Sequence, residues 1–387
     1  MTDRKTGRNL IAVSQPFVPD YRVPFFNELA RQLSAEGFEL EVWHGSPGAE
    51  MRKVGSARTG PWSVEVPQLR LQMFGRTLAL RRIWRRARGA RAVVAPFSAT
   101  ALEAILILFL GRTKTFLWGH GRSYVNKENR VGKAIKTAMA RRAQGVLVYT
   151  PSAVAAVESM GVPRSRVRAV FNATDTATLR RMRAGLSSTD IEAFRHAQEI
   201  PPGPVGLFVG AFIEAKRLDF LFSAIDRIVA AVPNFTAVIA GSGPQQEFVS
   251  AQAHRRRHVQ VVQRLDQEEL VRFSSVSDIL LMPGRVGLVA VDAVALGLPV
   301  ITTDWPFHAP EAEYLNSSNS IRSEDSETEY ANVVIDLLSD TDRLLEFRER
   351  TWESGEFYSV EAMAAHFVAH LKDQNVLPSG RGPSGEG

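Results

Sequence analysis

Met282 to Thr303 reads M-P-G-R-V-G-L-V-A-V-D-A-V-A-L-G-L-P-V-I-T-T, and the fold turns on how it is parsed. The apolar run Ile279-Leu280-Leu281-Met282 is a buried strand, and Pro283-Gly284-Arg285 is a glycine-bearing turn. A helix then starts near Gly287, stops at Gly297 and gives way to a second strand over Pro299 to Thr302. This is a strand–turn–helix–strand unit. Unpaired N–H groups and the positive end of the dipole let a first helical turn hold an anion such as a diphosphate. Asp292, one turn further in, lies where a carboxylate accepts hydrogen bonds from a ribose on that diphosphate. An ordinary buried crossover with Asp292 facing solvent fits the same pattern.

The segment resembles the donor-binding stretch of the retaining glycosyltransferases of family 4, whose fold is GT-B. There, two glutamates separated by seven residues lie around G-[LF]-x-x-x-E-A-x-x-x-G-x-P-V. In this sequence the second glutamate position is Asp292 and the first is Gly284. The resemblance implies an α/β chain of GT-B architecture: two Rossmann-like, doubly wound parallel-sheet domains facing a central cleft. The domains expected are an acceptor-binding one over 1–178 and a nucleotide-sugar-binding one over 200–355. A helix over 356–373 crosses back to the first domain, and 374–387 is a disordered tail.

A chain of 387 residues, 45% hydrophobic, has ample apolar surface for two cores. With no cysteine, disulfides, thiolate metal sites and cysteine nucleophiles are excluded. Residues 1–175 hold 28 Lys+Arg against 12 Asp+Glu, whereas 176–387 hold 19 against 29. The first half is therefore drawn to anions. The polar start M-T-D-R-K-T-G-R-N-L carries no export signal, and Ala104 to Leu110 is too short to span a bilayer. A cytoplasmic protein, peripheral on the inner face of the membrane, is expected.

Gly75 to Arg91 carries seven arginines with Leu78, Ile83 and Trp84, and reads as an amphipathic basic helix. Such a helix lies on an anionic leaflet. No nucleic-acid-binding signature accompanies it, so nucleic acid is not an expected partner.

Along the chain, strands are expected over Asn9 to Ser14, Phe38 to His44, Ala92 to Pro96, Lys114 to Trp118 and Val146 to Thr150. After the first comes Pro19-Asp20-Tyr21-Arg22, where many family members have a glycine-rich acceptor loop; Tyr21 and Arg22 are acceptor candidates. The fourth strand ends in G-H-G-R-S-Y, at the strand end where open α/β sheets bind ligands. His120 stands at the place of a family histidine that faces the transferred sugar, and Arg122 joins it as an acceptor contact. Asn172 and Asp175 match the family's N-G-x-D.

Thr176 to Pro204 has hinge composition, after which Gly206 to Val209 begins a second β-α series. G-A-F-I-E-A-K-R-L-D-F-L resembles the family's G-R-L-x-x-x-K-G-x-x-x-L, whose Arg and Lys clamp the diphosphate. Lys216 matches, Ala211 stands for the arginine after Gly210, and Arg217 is the candidate substitute. Gly241 and Gly243 belong to the family's G-x-G-P turn, and Arg264 and Leu265 fall where its backbone reads the base. Gly287, Leu288 and Val289 supply diphosphate amides. His308 and Glu311 are candidate donor-sugar contacts compensating for Gly284.

The catalytic set implied is His120, Lys216 and Asp292, with no metal and no cofactor beyond a nucleotide-diphosphate sugar of UDP or GDP type. The acceptor is a saccharide or a polyprenyl-diphosphate-linked one. A GT-B sugar-nucleotide epimerase and a non-catalytic sugar-nucleotide-binding protein are the alternatives. Donor incubated alone separates the first from a transferase, and binding without turnover marks the second.

Overall fold

The computed structural model describes residues 9–46, 60–73, 76–121 and 130–378. The chain divides into two compact units, Met1–Asn172 with Val360–Gly387, and Ala173–Ser359.

The first unit carries strands β1 (Leu10–Gln15), β2 (Glu39–His44), β3 (Ser63–Glu65), a hairpin of β4 (Gln68–Met73) and β5 (Arg76–Arg81), then β6 (Ala92–Pro96), β7 (Lys114–Gly119), β8 (Gly145–Val148) and β9 (Val167–Ala169). Its main sheet runs β3-β2-β1-β6-β7-β8-β9, and its pairs are parallel. Runs such as A-V-V-A and G-V-L-V are apolar throughout because helices cover both faces of a parallel sheet. Helix Val360–Asp373 packs against helix Val23–Ala35, with Phe367 5.3 Å from the Phe25 ring and 4.9 Å from the Trp118 ring.

The second unit carries β10 (Val205–Val209), β11 (Thr236–Ala240), β12 (Val259–Val262), β13 (Ile279–Met282), β14 (Val300–Thr303) and β15 (Ser320–Ser323). Its sheet runs β12-β11-β10-β13-β14-β15, again parallel. The winding reverses between β10 and β13, and at such a switch point the loops leaving the two strands diverge and open a crevice. A core of Leu207, Phe208, Phe222, Ile239, Leu281 and Ile301 fills the space beneath.

Three sequence expectations are corrected. The basic segment is not a long helix. Arg76–Arg81 forms β5 of the hairpin, and only Trp84–Ala87 is helical. T-L-A-L-R alternates with period two, which a strand accommodates and a helix does not. The hinge composition of 176–204 conceals two helices, Thr176–Ala184 and Ser188–Ala197. Asp175 caps the first, and Ser187 with Asp190 forms a capping box on the second, so residues that look like linker are helix starts. Residues 374–377 are docked: Val376 and Leu377 are buried, and Gln374 Nε2 donates to Ser165 O at 2.7 Å. The rest of the expected tail, 379–387, lies outside the described residues, as does Arg122.

Candidate functional site

The second unit brings four loops together at the carboxyl ends of β10, β11, β13 and β14. The loop after β10 bends into a 3-10 turn, Glu214–Lys216. Lys216 Nζ reaches across the switch point to donate to Arg285 O at 2.6 Å, and lies 3.7 Å from Met282 Sδ. Arg285 N donates back to Ala215 O at 2.8 Å, so the two loops are stitched from both sides. Position 284 sits in that seam: a Cβ there would come within 2.5 Å of the Lys216 carbonyl group and 2.7 Å of Ala215 O. A side chain there would force the two loops apart, so this seam is compatible only with glycine at the position where the family pattern has a carboxylate.

The same loop is braced from β14. Thr303 Oγ1 donates to Pro283 O at 2.9 Å. His308 Nδ1 accepts from Val286 N at 3.2 Å and Nε2 pairs with Thr303 O at 2.9 Å. These partners fix the neutral tautomer with hydrogen on Nε2, and burial holds the imidazole pKa below its usual value. Both ring nitrogens are spent on backbone, so His308 shapes the loop and has none left for a sugar hydroxyl. Below, Tyr330 Oη accepts from Met282 N at 3.1 Å and donates to Ile301 O at 3.0 Å, tying the ends of β13 and β14.

From β11, the turn at Gly241 and Gly243 presses on the β10 loop. Phe212 N donates to Ser242 O at 2.9 Å and Gln245 N to Phe212 O at 3.0 Å, while a Cβ on Gly241 would collide with Gly210 O. The glycines permit loop–loop contact. Gly210 leaves room for the Lys216 chain, since a Cβ there would lie 3.1 Å from Lys216 Cε.

Burial is the main cause that lowers the Lys216 ammonium to about 8, with the Arg285 charge adding to it and buried Glu311 opposing it. Asp292 is the mirror case: desolvation raises its carboxyl to about 6, against the hydrogen bond that Thr174 Oγ1 donates to Oδ1 at 2.6 Å. Perturbed groups of this kind gather at binding and catalytic sites. Arg217, in left-handed backbone at φ 53°, sends its guanidinium to Asp325 and over the Phe220 ring at 4.4 Å. That geometry turns it away from Lys216, and Ala211 is exposed with no charge to offer. Gly287, Leu288 and Val289 are part-exposed at the start of helix Val289–Ala295. Arg264 is exposed and Leu265 part-buried in the loop after edge strand β12, where Asp266 caps the helix Gln267–Ser275.

In the first unit, Arg22 is 6% exposed and its guanidinium lies 4.9 Å from the Trp118 ring and 5.5 Å from that of Tyr149. It donates to Tyr149 Oη at 3.2 Å, so it steadies an aromatic cluster and offers little surface itself. His120 is exposed beyond β7, 4.9 Å from the Tyr149 ring, and Tyr21 is 43% exposed. Among the described residues, His120, Tyr149 and Tyr21 are thus groups that this end of the sheet presents.

Comparison with known proteins bears directly on this arrangement. Residues 25–178 match Glycosyltransferase Family 4 and residues 203–340 match Glycosyl transferases group 1, between them most of the chain. The chain belongs to the family 4-type glycosyltransferases. Glycogen synthase of Mycobacterium tuberculosis H37Rv is 32% identical over 104 residues, 25% of either chain. D-inositol 3-phosphate glycosyltransferase 2 of Catenulispora acidiphila is 28% identical over 225 residues, 54% of this chain and 51% of that one. The chain thus spans a quarter to a half of the length of these curated relatives. Among solved structures, HepE of Anabaena in complex with UDP has a TM-score of 0.70 at 15% identity, covering 94% of this chain and 99% of that one. A glycosyltransferase from Rickettsia africae gives 0.71 at 14%, covering 95% and 98%. The fold is GT-B.

In this family 4-type chain the lysine and the glycine-bearing helix start of the donor pattern are kept and adjoin each other. The sequence reading missed Thr174, Tyr149 and Arg285. Tyr149 alone had a visible signal, since it ends the strand V-L-V-Y. Among the described residues no group of three or more His, Asp and Glu is placed to hold a metal ion, and no helix is long and apolar enough to cross a membrane.

Proposed function

We propose that this protein is a retaining glycosyltransferase that moves a sugar from a nucleotide-diphosphate donor to a saccharide acceptor in cell-envelope or extracellular glycan synthesis. The observation that carries the reading is the Lys216 ammonium bound to the loop after β13, across the switch point of the second sheet. There Lys216 and the amides of Gly287, Leu288 and Val289 meet the diphosphate. Their task is to stabilise charge as it grows on the leaving group. Asp292 accepts from the ribose hydroxyls, with Thr174 holding the carboxylate in place. Gly241 and Gly243 allow close backbone approach, Arg264 and Leu265 border the base, and Glu311 meets the donor sugar. UDP is the first donor to test, because HepE was solved with it.

In the first unit, His120 with Tyr149 and Tyr21 receives the acceptor. The positive charge of residues 1–175 favours a lipid-linked, polyprenyl-diphosphate acceptor on the inner face of the membrane. Exposed Arg82, Arg85, Arg86 and Arg88, together with Leu106, Phe109 and Leu110, suit an anionic leaflet. The test is a thermal-shift screen of UDP- and GDP-sugars on wild type and Lys216→Ala. One donor class should stabilise the wild type and leave the variant unmoved. Equal stabilisation of the two would contradict the assignment.

A further inference from the structure

Helix Val289–Ala295, whose start joins the loop after β13, ends just before the amino end of β14, about 10 Å of helix away. There Leu296 and Gly297 adjoin the last turn of helix Thr176–Ala184 and one side of helix Thr341–Ser354, around an open hollow of about 450 Å³. Arg183 Nε is buried with no acceptor, and burial holds the guanidinium below its usual basicity. A buried donor without an acceptor destabilises the fold unless a ligand meets it. The charge of Arg183 is felt at Arg348, whose own Nη1 is engaged by Ser277 O and by Asp278 at 3.3 Å. Arg183 is therefore the donor left over.

The other walls differ in chemistry. Glu349 and Glu353, one helical turn apart, are exposed at the rim, and among the described residues neither makes an ion pair. Leu296, Leu345 and Trp352 supply apolar surface, with Leu345 56% exposed. The indole is held in place by the Arg180 guanidinium, 3.8 Å from its ring, and by the bond from Arg180 Nη1 to Trp352 O at 2.6 Å. Gly297 leaves space beside it, since a Cβ there would lie 3.3 Å from Trp352 Cβ. In this hollow a free anion meets two carboxylates, a cation meets two guanidinium groups, and a hydrocarbon leaves the Arg183 donor unmet. A sugar ring has hydroxyls that both accept and donate, and an apolar C–H face, so it satisfies every wall.

We propose that this hollow is a second saccharide site, in which Arg183 donates to ring hydroxyls, Glu349 and Glu353 accept from them, and Leu345 and Trp352 lie against the C–H face. It is separate from the donor loops and does not rest on the donor reading. In a glycosyltransferase such a site holds a part of the glycan that is not being extended, which keeps the chain near the enzyme between transfers.

Saturation-transfer NMR and calorimetric titration with maltose, cellobiose and chitobiose test it on the full chain as wild type, Arg183→Ala, Leu345→Glu and Lys216→Ala. At least one of these disaccharides should bind the wild type with a Kd of about 1 mM or tighter. Arg183→Ala and Leu345→Glu should each weaken it by about tenfold, and Lys216→Ala should leave it unchanged. Melting of the unliganded variants checks folding. Leu345 is exposed, so its variant keeps the test open where Arg183→Ala does not fold. Binding that survives both hollow variants, or that is lost in Lys216→Ala, belongs elsewhere on the chain and overturns the proposal, as does a wild type that binds none of the three. Displacement of the saccharide by an equal concentration of glutamate or inorganic phosphate also overturns it, because the hollow would then be a site for a zwitterion or an anion.

Discussion

At the scale of single residues, Gly284 shows how one backbone seam removes a side chain that a family pattern would supply. Gly284→Glu does not restore the carboxylate, because its Cβ meets the Lys216 and Ala215 carbonyls first. Overpacking of this kind costs about 1–3 kcal/mol, so denaturant unfolding should show a lowered midpoint, and UDP affinity should fall as Lys216 is displaced. An unchanged midpoint would mean that the seam opens freely. Lys216 and Asp292 set a pH window. Affinity for the diphosphate should drop above about pH 8 as the ammonium loses its proton, and below about pH 6 as Asp292 gains one and accepts from the ribose less strongly. Thr174→Val removes the hydrogen bond that favours the ionised carboxylate, so the acid limb should shift to higher pH. Titrations from about pH 5 to about pH 9 read both limbs.

At the scale of elements, two devices hold the first unit together. The β4–β5 hairpin is anchored by Arg81, which pairs with Glu103 and donates to Ser14 Oγ at 3.2 Å, with both partners of the ion pair 2% exposed. Removing one partner leaves the other charge buried and alone, so Glu103→Ala should cost about 3–5 kcal/mol. The double change Arg81→Met with Glu103→Leu should cost far less. Single variants as stable as wild type would show that the pair is dispensable.

Helix Val360–Asp373 is the second device, docked through His370, which is 1% exposed against the Phe116 ring and the Gly145 backbone. Burial depresses this imidazole to about 4. Between the unfolded value near 6.5 and 4 the unfolded chain therefore binds a proton that the folded one does not. Stability is intact above pH 6.5 and is lost as the pH falls toward 4, by up to about 3 kcal/mol. His370→Phe should flatten that part of the profile in urea unfolding from pH 7 down to about 4.5.

At the scale of the whole molecule, the charge asymmetry predicts where the chain goes. Co-sedimentation with vesicles rich in phosphatidylglycerol should be strong at low salt and fall as salt rises. Replacing Arg82, Arg85 and Arg86 with alanine should weaken it further. Equal binding to neutral vesicles would argue against the membrane reading.

Much of the plan was legible in the residues. Buried parallel strands leave continuous apolar runs, so β6, β10 and β13 are found where A-V-V-A-P, G-L-F-V and I-L-L-M place them. Lys216 and the glycine turn were legible because their spacing within each loop is local. The hairpin was not, since seven arginines mask a short period-two alternation. The roles of Arg217, His308, Thr174 and Arg285 were hidden for another reason: each depends on a partner far away in the chain, as with Asp325, Val286, Asp292 and Lys216.

The sequence by itself determined the alternation of strands and helices and the candidate lysine, because hydrophobic period and loop chemistry are properties of neighbours along the chain. The tertiary structure alone decided which loops Lys216 joins, which histidine is spent on backbone, and why position 284 has no room for a side chain. Those outcomes depend on how closely two loops from different strands approach, and that distance is set by the order of strands in the sheet.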